Sequence, residues 1–543
     1  MSADATLLIR NARVWSGGSA VADADAVAVA GARILAVGRE ADLRAHTGSA
    51  AEVIDARGGT VTPGFTDAHI HLVRWARARA ELRIDPDGSR ADALAVVRDH
   101  LARHPSERVV VGRGWASDRW DAPPDRAALD FVSDGRPVIL HSRDFHAVWV
   151  NSVALERAGL SRATRDPDDG RYERDARGEL TGVAREHAVR PLTALEEPIS
   201  LAADLDRVRA AMECLLAYGI TAVHDFEGAA EFALLETVAK SQGPRVRVLM
   251  HLPHDGLEQA LEERWTSGTG DDWFRIGAVK LFADGTLGSR TAALLAPYLG
   301  TDERGMELMS GAELRATAER AIAGGLSIAV HAIGDRAVRS VLDAVAAVPQ
   351  PVRARLGLPP RIEHAQLVSA ADLPRFAELG VVASMQPSHC VTDIPLAGRD
   401  WADRLDFAYP WASLRDGGAM LAFGSDAPVE PPDPSLGLQA ALTRATREGQ
   451  PPGGFVPAQR IALDSALSAY TDAPARIAGG SGRWGVIAPG AWADLVVWDA
   501  DLAQTPAADL HRVRPTMMVL EGRGWDPRSA LDAAPVDRGA RGG

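Results

Sequence analysis

Two histidines one residue apart, His69 and His71, close an apolar run that ends Asp67-Ala68-His69-Ile70-His71. Side chains alternate along a strand, so both imidazoles point to one face and can share a metal ion. Lys280 stands among apolar neighbours in Ala278-Val279-Lys280-Leu281-Phe282, where a bare ammonium is costly. Desolvation lowers a lysine's pKa and makes its amine nucleophilic. Such an amine can take up carbon dioxide to give a carbamate, a two-oxygen anion able to bridge two cations. His331, His364 and Asp426 end three further runs, the last within Phe423-Gly424-Ser425-Asp426-Ala427-Pro428. Together these residues form a hard-to-borderline donor set suited to zinc, manganese or iron. Singly, each has an ordinary structural reading: a hydrogen-bonded histidine, a snorkelling lysine, a capping aspartate. Their joint placement at the ends of separate runs decides for a metal site.

Such a site needs elements whose ends converge. Eight short apolar runs read as strands: Val61–Leu72, Gly219–Phe226, Arg245–Leu252, Ala278–Gly285, Ser327–Gly334, Arg361–Gln366, Gly380–Pro387 and Ala419–Asp426. Helix-like sequence separates most of them, as in Ala312–Ala323 and Ala371–Leu379. This alternation predicts an α/β fold, a (β/α)8 TIM-like barrel over residues 61–479, with active residues at the strands' C-terminal ends. The interval 73–200 is too long for one crossover and has strand-like runs of its own, Arg108–Gly112 and Pro137–His141; it reads as an insertion over the barrel mouth. Its polar piece, Arg165–Glu179, reads as an exposed loop or hairpin. Short strands at both chain ends predict a small composite β-sandwich from residues 1–60 and 480–525. They are Thr6–Trp15, Ala26–Ala30, Arg33–Val37 and Val53–Asp55, then Ala493–Trp498 and Thr516–Leu520. Residues 526–543 lack periodicity and read as a frayed tail.

The formal net charge of -14 argues against a nucleic acid partner and against anionic lipid, and favours a small molecule. Two cysteines, Cys214 and Cys390, cannot build a disulfide framework and suit a reducing compartment. No basic leader and no long apolar span is visible, so the expected location is the cytoplasm.

The segments Thr62-Pro63-Gly64-Phe65-Thr66-Asp67-Ala68-His69-Ile70-His71, Lys280-Leu281-Phe282-Ala283-Asp284-Gly285, His331-Ala332-Ile333-Gly334-Asp335-Arg336-Ala337 and Gly424-Ser425-Asp426-Ala427-Pro428 closely resemble the amidohydrolase superfamily. More narrowly they resemble its family 3, the branch that includes N-substituted formamide deformylase. The resemblance covers nearly the whole chain, including Gly112-Arg113-Gly114-Trp115 and His146-Ala147-Val148-Trp149-Val150-Asn151-Ser152. It implies that His69, His71 and Asp426 hold the more buried of two divalent ions, zinc first among the candidates, and His331 and His364 the other. Lys280, N-carboxylated, would bridge them.

Two ions about 3.5–4 Å apart can trap a bridging water and lower its pKa toward neutrality. The expected reaction is hydrolysis of a non-peptide, amide-type C–N bond of a small molecule by that metal-bridging hydroxide, with Asp426 moving the proton to the departing amine. Candidate substrate contacts are His146, Trp115, Arg290, Gln386 and His389, with His224 and His251 also at strand ends. Trp115 has a packing alternative, His146 and His389 have the alternative of orienting a metal ligand, and Arg290 that of pairing with Glu186. The competing reading is a mononuclear metal-dependent deaminase on the same barrel. It leaves Lys280 without a role. A non-catalytic relative that keeps the barrel for protein contacts has no use for the full donor set. A homodimer is the ordinary expectation for oligomeric state.

Overall fold

Short apolar runs bounded by glycine and polar turns become one parallel sheet in the computed structural model. It describes residues 4–528 apart from 80, 86–87, 106, 118–119, 197–199, 242 and 244. The strands are β1 (Phe65–Ile70), β2 (Ile220–Asp225), β3 (Arg247–Pro253), β4 (Phe274–Phe282), β5 (Ile328–Ala332), β6 (Arg361–His364), β7 (Val382–Met385) and β8 (Leu421–Phe423). Each pairs in parallel with the next. Beyond the end of β8 the chain returns to β1. The Asp426 N–H donates to His69 O at 2.7 Å and the His71 N–H to Ala427 O at 2.9 Å, around the parallel bridge Ile70↔Ala427. The sheet is thus a nearly closed eight-stranded barrel whose strands are largely buried, mostly apolar but with charged and polar residues such as Arg361, Glu363 and Asp67 among them.

Helices follow the strands where the sequence supplies caps. Helix Gly311–Ala323 starts on a capping box in which Ser310 and Glu313 satisfy each other's backbone N–H. Helix Leu373–Leu379 stops at Gly380, whose φ of +68° suits a residue without a Cβ.

Two expected runs prove to be two elements each. Val61–Leu72 divides into Thr60–Pro63, which pairs with Arg13–Ser16 and Leu495–Trp498, and β1, which starts at Phe65. Gly64 is the joint: a Cβ there would lie 2.0 Å from Thr221 Oγ1, so only glycine lets the chain pass beside β2. Thr6–Trp15 likewise divides at Asn11, where φ is +50°, into Ala5–Arg10 and Arg13–Ser16 in different sheets. Hydrophobic alternation reports burial and not sheet membership, so one continuous pattern concealed both joints.

The chain ends build a four-stranded sheet, Arg33–Gly38, Ala26–Ala30, Ala5–Arg10 and Thr47–Asp55 in spatial order. They also build a six-stranded one, Arg523–Trp525, Pro515–Leu520, Leu495–Trp498, Thr60–Pro63, Arg13–Ser16 and Ser19–Ala20. Leu7, Val27 and Val29 of the first share one buried cluster with Val61, Leu495 and Val519 of the second.

A second compact unit comprises residues 74–204 with 285–291. Its six-stranded mixed sheet contains Val110–Trp115 and Val138–Ser142, close to the expected runs. The polar piece is a hairpin: Gly170–Arg174 pairs with Leu180–Glu186, and the Asp175 carboxylate accepts from the Arg177 and Glu179 N–H groups in the turn. The expected tail lies outside the described residues beyond Arg528. Both cysteines are buried and neither forms a disulfide, and among the described residues no helix is long and apolar enough to cross a membrane.

The barrel's closure depends on close contact at Gly424, where a Cβ would lie 2.4 Å from His69 N and 2.8 Å from Asp67 Oδ1. Gly424→Ala is therefore expected to destabilise the protein by about 1–3 kcal/mol through overpacking. A thermal melt checks this, and an unchanged midpoint would mean that β8 can move off β1 without loss.

Candidate metal centre

The closing seam of the barrel gathers the donors. His69 and His71 leave the end of β1, and both turn Nε2 toward one carboxylate oxygen: Asp426 Oδ1 lies 3.5 Å from His69 Nε2 and 3.4 Å from His71 Nε2. Donors about 2.1 Å from a common tetrahedral ion are roughly 3.4 Å apart, so this spacing fits a cation between them. His364, at the end of β6, brings Nδ1 to 4.0 Å from Asp426 Oδ2, and ligand atoms of His69, His364 and Asp426 all lie within 4.8 Å of one another. The His331 and His364 rings are 4.6 Å apart between centroids. Lys280 Nζ sits 4.6 Å from the Phe226 ring and 4.9 Å from the Phe282 ring. The six predicted donors thus occupy one neighbourhood.

The opposite ring nitrogens are committed. His69 Nδ1 pairs with Glu363 Oε2 at 2.6 Å, His71 Nδ1 with Phe226 O at 2.7 Å, and His364 Nδ1 with Gln386 Oε1 at 2.8 Å. Such partners fix the tautomer and leave Nε2 as the donor for a cation. His331 Nε2 is 3.8 Å from Asp284 Oδ1, and the Asp284 carboxylate is itself held by the N–H groups of Ala293, Ile333 and Gly334.

Burial and charge set the protonation states. Burial holds the His69 ring at a pKa of about 4 and His364 well below the usual imidazole value, so both rings are neutral at pH 7. Burial lowers Lys280 to about 8, against the pull of Glu363 and Asp426, leaving a fraction of free amine at neutral pH. For Asp426, burial works upward, but His69, His71, His364 and His389 outweigh it and keep the carboxyl well below its ordinary range. Burial raises Asp67 to about 7. Its carboxyl accepts from His69 N–H, Ser425 N–H and Ser425 Oγ, and so ties the end of β1 to the end of β8.

Sequence reasoning missed the charged pair that supports these ligands. Arg361 and Glu363 on β6 are 1% and 0% exposed, and two guanidinium nitrogens meet the two carboxylate oxygens at 2.5 and 3.1 Å. Arg361 also donates to Ala68 O, Ser384 Oγ and His224 Nδ1. Burial would raise Glu363, but Arg361 and His69 hold it ionised. The available signal was two opposite charges at i and i+2 on a strand that must be buried. Phe226 was also missed: its carbonyl holds His71 while its ring stacks on His69 at 4.0 Å.

The expected substrate contacts separate. Gln386 and His389 stand at the barrel centre. His389 Nε2 is 3.8 Å from Asp426 Oδ2, and both His389 Nε2 and Gln386 Nε2 are buried without a hydrogen-bond partner. His224 is buried and bonded to Arg361. Trp115, His146 and Arg290 belong to the second unit. There Trp115 is a core residue, 3% exposed, with its indole N–H donating to Leu140 O. His146 Nδ1 bonds Glu186 Oε2 at 2.8 Å, and the other Glu186 oxygen accepts from Thr291 Oγ1.

Comparison with known proteins identifies relatives along nearly the whole chain. Residues 52–524 match the amidohydrolase family model. The chain is 30% identical over 482 residues to the putative amidohydrolase YtcJ of Bacillus subtilis, covering 87% of this chain and 90% of that one. It is 29% identical over 541 residues to N-substituted formamide deformylase of Arthrobacter pascens, covering 95% and 97%. An uncharacterized metal-dependent hydrolase from Pyrococcus furiosus superposes with a TM-score of 0.70 at 28% identity, over 90% of this chain and 98% of that one.

If Glu363 orients His69, Glu363→Gln should weaken metal binding by about 10–100-fold, the usual effect of losing a ligand's carboxylate support. Metal titration of the stripped protein measures it; unaltered affinity would assign Glu363 to balancing the Arg361 charge alone.

Proposed function

The chain belongs to the amidohydrolase family and is a metal-dependent hydrolase; from that premise we propose that it cleaves an amide-type C–N bond of a small molecule at a binuclear centre on the barrel. The observation that carries this reading is the convergence of His69 Nε2 and His71 Nε2 on Asp426 Oδ1, with His331, His364 and Lys280 beside them. The name of the Arthrobacter relative, a formamide deformylase, makes N-formyl and N-acyl amines the first substrates to try.

His69, His71 and Asp426 would hold one ion and His331 and His364 the other, with zinc as the first candidate. Lys280 would join both after its amine becomes a carbamate. When bound, the ions supply carbonyl polarisation and an activated water nucleophile. The chain's own residues do the rest. Asp426, kept ionised at neutral pH, accepts the proton of the attacking water and returns it to the departing amine nitrogen. His389 Nε2 and Gln386 Nε2, polar and unpartnered beside Asp426 and His364, are placed to orient the substrate by hydrogen bonding. The shared core of the two terminal sheets supports reading them as a composite β-sandwich.

Elemental analysis of protein purified without chelator is expected to give about two ions per chain, falling in Lys280→Ala. Hydrolysis of an N-formyl and N-acyl amine panel should fall with the metal and return when it is restored. One ion, indifferent to loss of Lys280, would replace the binuclear centre with mononuclear chemistry. Asp426→Asn should lower kcat by about 10²–10⁴-fold. Because Asp426 is also a proposed ligand, the assay is run at saturating metal; a near-normal rate there would remove it as the proton carrier.

A further inference from the structure

His251 lies near the end of β3, 1% exposed, and takes no part in the chemistry above. Its ring lies flat on Phe226, centroids 4.2 Å apart and planes within 4°. Lys280 Nζ approaches the same Phe226 ring at 4.6 Å. β3 and β4 are paired neighbours with Pro253 opposite Lys280. The Ala278 N–H of β4 donates to His251 Nδ1 at 2.9 Å. That bond fixes the tautomer, because Nδ1 must carry a lone pair and the ring proton must sit on Nε2. Burial, and then the Arg361 guanidinium, keep the ring neutral. The Nε2–H is buried and has no hydrogen-bond partner.

A buried donor without an acceptor costs about 1–3 kcal/mol. Stacking on Phe226 does not call for a ring nitrogen, and the Lys280 ammonium, itself a donor, cannot accept from one. The free donor therefore asks for an acceptor that the bare chain does not supply. Lys280 acquires one if its amine is carboxylated.

We propose that His251 is a positioning residue for Lys280, its Nε2–H donating to an oxygen of the lysine carbamate and holding the carbamate plane for the metal ions. This rests on the carbamate reading given above. In the covalent step the neutral Nζ lone pair bonds the carbon of dissolved carbon dioxide, one C–O π pair moves onto oxygen, and Nζ releases a proton to water. The product keeps one N–H and has two oxygens sharing a negative charge. A charge-assisted hydrogen bond to such an oxygen is stronger than a neutral one.

The test uses the full chain, incubated with zinc and ¹³C-labelled bicarbonate and read by ¹³C NMR for the lysine carbamate signal. His251→Phe keeps a flat ring on Phe226 but removes the donor. It is expected to need about tenfold more bicarbonate than the wild type for the same signal, the worth of one hydrogen bond. His251→Gln, which returns an N–H donor, should recover most of the difference. Identical bicarbonate dependence in the wild type and the Phe variant overturns the proposal while leaving the carbamate in place. No carbamate signal in the wild type overturns the carbamate reading itself, and this proposal with it. Should the Phe variant not fold, ¹⁵N-histidine spectra of the wild type decide: the His251 Nε2–H resonance moves as bicarbonate is added, or, unmoved, it overturns the proposal.

Discussion

The candidate metal centre is built around one buried contact, the 2.6 Å hydrogen bond between His69 Nδ1 and Glu363 Oε2. A carboxylate taken out of water costs several kcal/mol, and the guanidinium that neutralises it costs as much again. The return is not stability, since apolar residues of similar volume commonly serve stability as well. What an apolar pair cannot do is accept the Nδ1 proton of His69 and so turn Nε2 toward Asp426. The Arg361 contacts to Ala68 O, Ser384 and His224 then follow as a requirement. A charge pair this deep is tolerable only when each remaining N–H finds an acceptor.

The same constraint explains why the barrel closes where it does. Asp426 N–H bonds His69 O, Ser425 bonds Asp67, and Gly424 fits against His69 N. Each of these contacts brings the end of β8 against the end of β1, so Asp426 from the last strand meets His69 and His71 from the first. Backbone strain is accepted to complete the set. His364, Ala365 and Asp426 have φ of +76°, +42° and +59°, values that non-glycine residues avoid at a cost of order 1–3 kcal/mol each. At His364 the excursion ends the alternation of β6, in which Arg361 and Glu363 share a face, and the ring still reaches the side of His331 and Asp426.

Much of this was legible in the residues. Eight short, mostly apolar runs marked the barrel, and the candidate ligands at the ends of five of them stood out against that background. The spacing of His69 and His71 gave one face by simple alternation. What stayed hidden needed tertiary information. Trp115 offered an aromatic ring in an insertion, and nothing local distinguishes a core tryptophan from a substrate contact until the Leu140 carbonyl is seen to satisfy its N–H. Glu363, adjacent in sequence to His364, could not be linked to the site from sequence alone, because its partner His69 is 294 residues away.

The distribution of unpaired polar atoms links this architecture to its chemistry. A barrel interior that spends hydrogen bonds freely on Arg361, Glu363, Asp67 and Asp284 has no shortage of backbone or side-chain partners to offer. Yet Gln386 Nε2, His389 Nε2 and His251 Nε2 are all buried without one. Buried polar groups usually find a partner, so each of these three calls for an explanation. Gln386 binds His364 through its other end, and His389 Nε2 lies 3.8 Å from Asp426 Oδ2, so both residues stand beside candidate metal ligands. His251 instead shares the Phe226 ring with Lys280. On the proposed reading these three atoms divide in two, Gln386 and His389 beside Asp426 suiting a substrate and His251 suiting a lasting modification of Lys280.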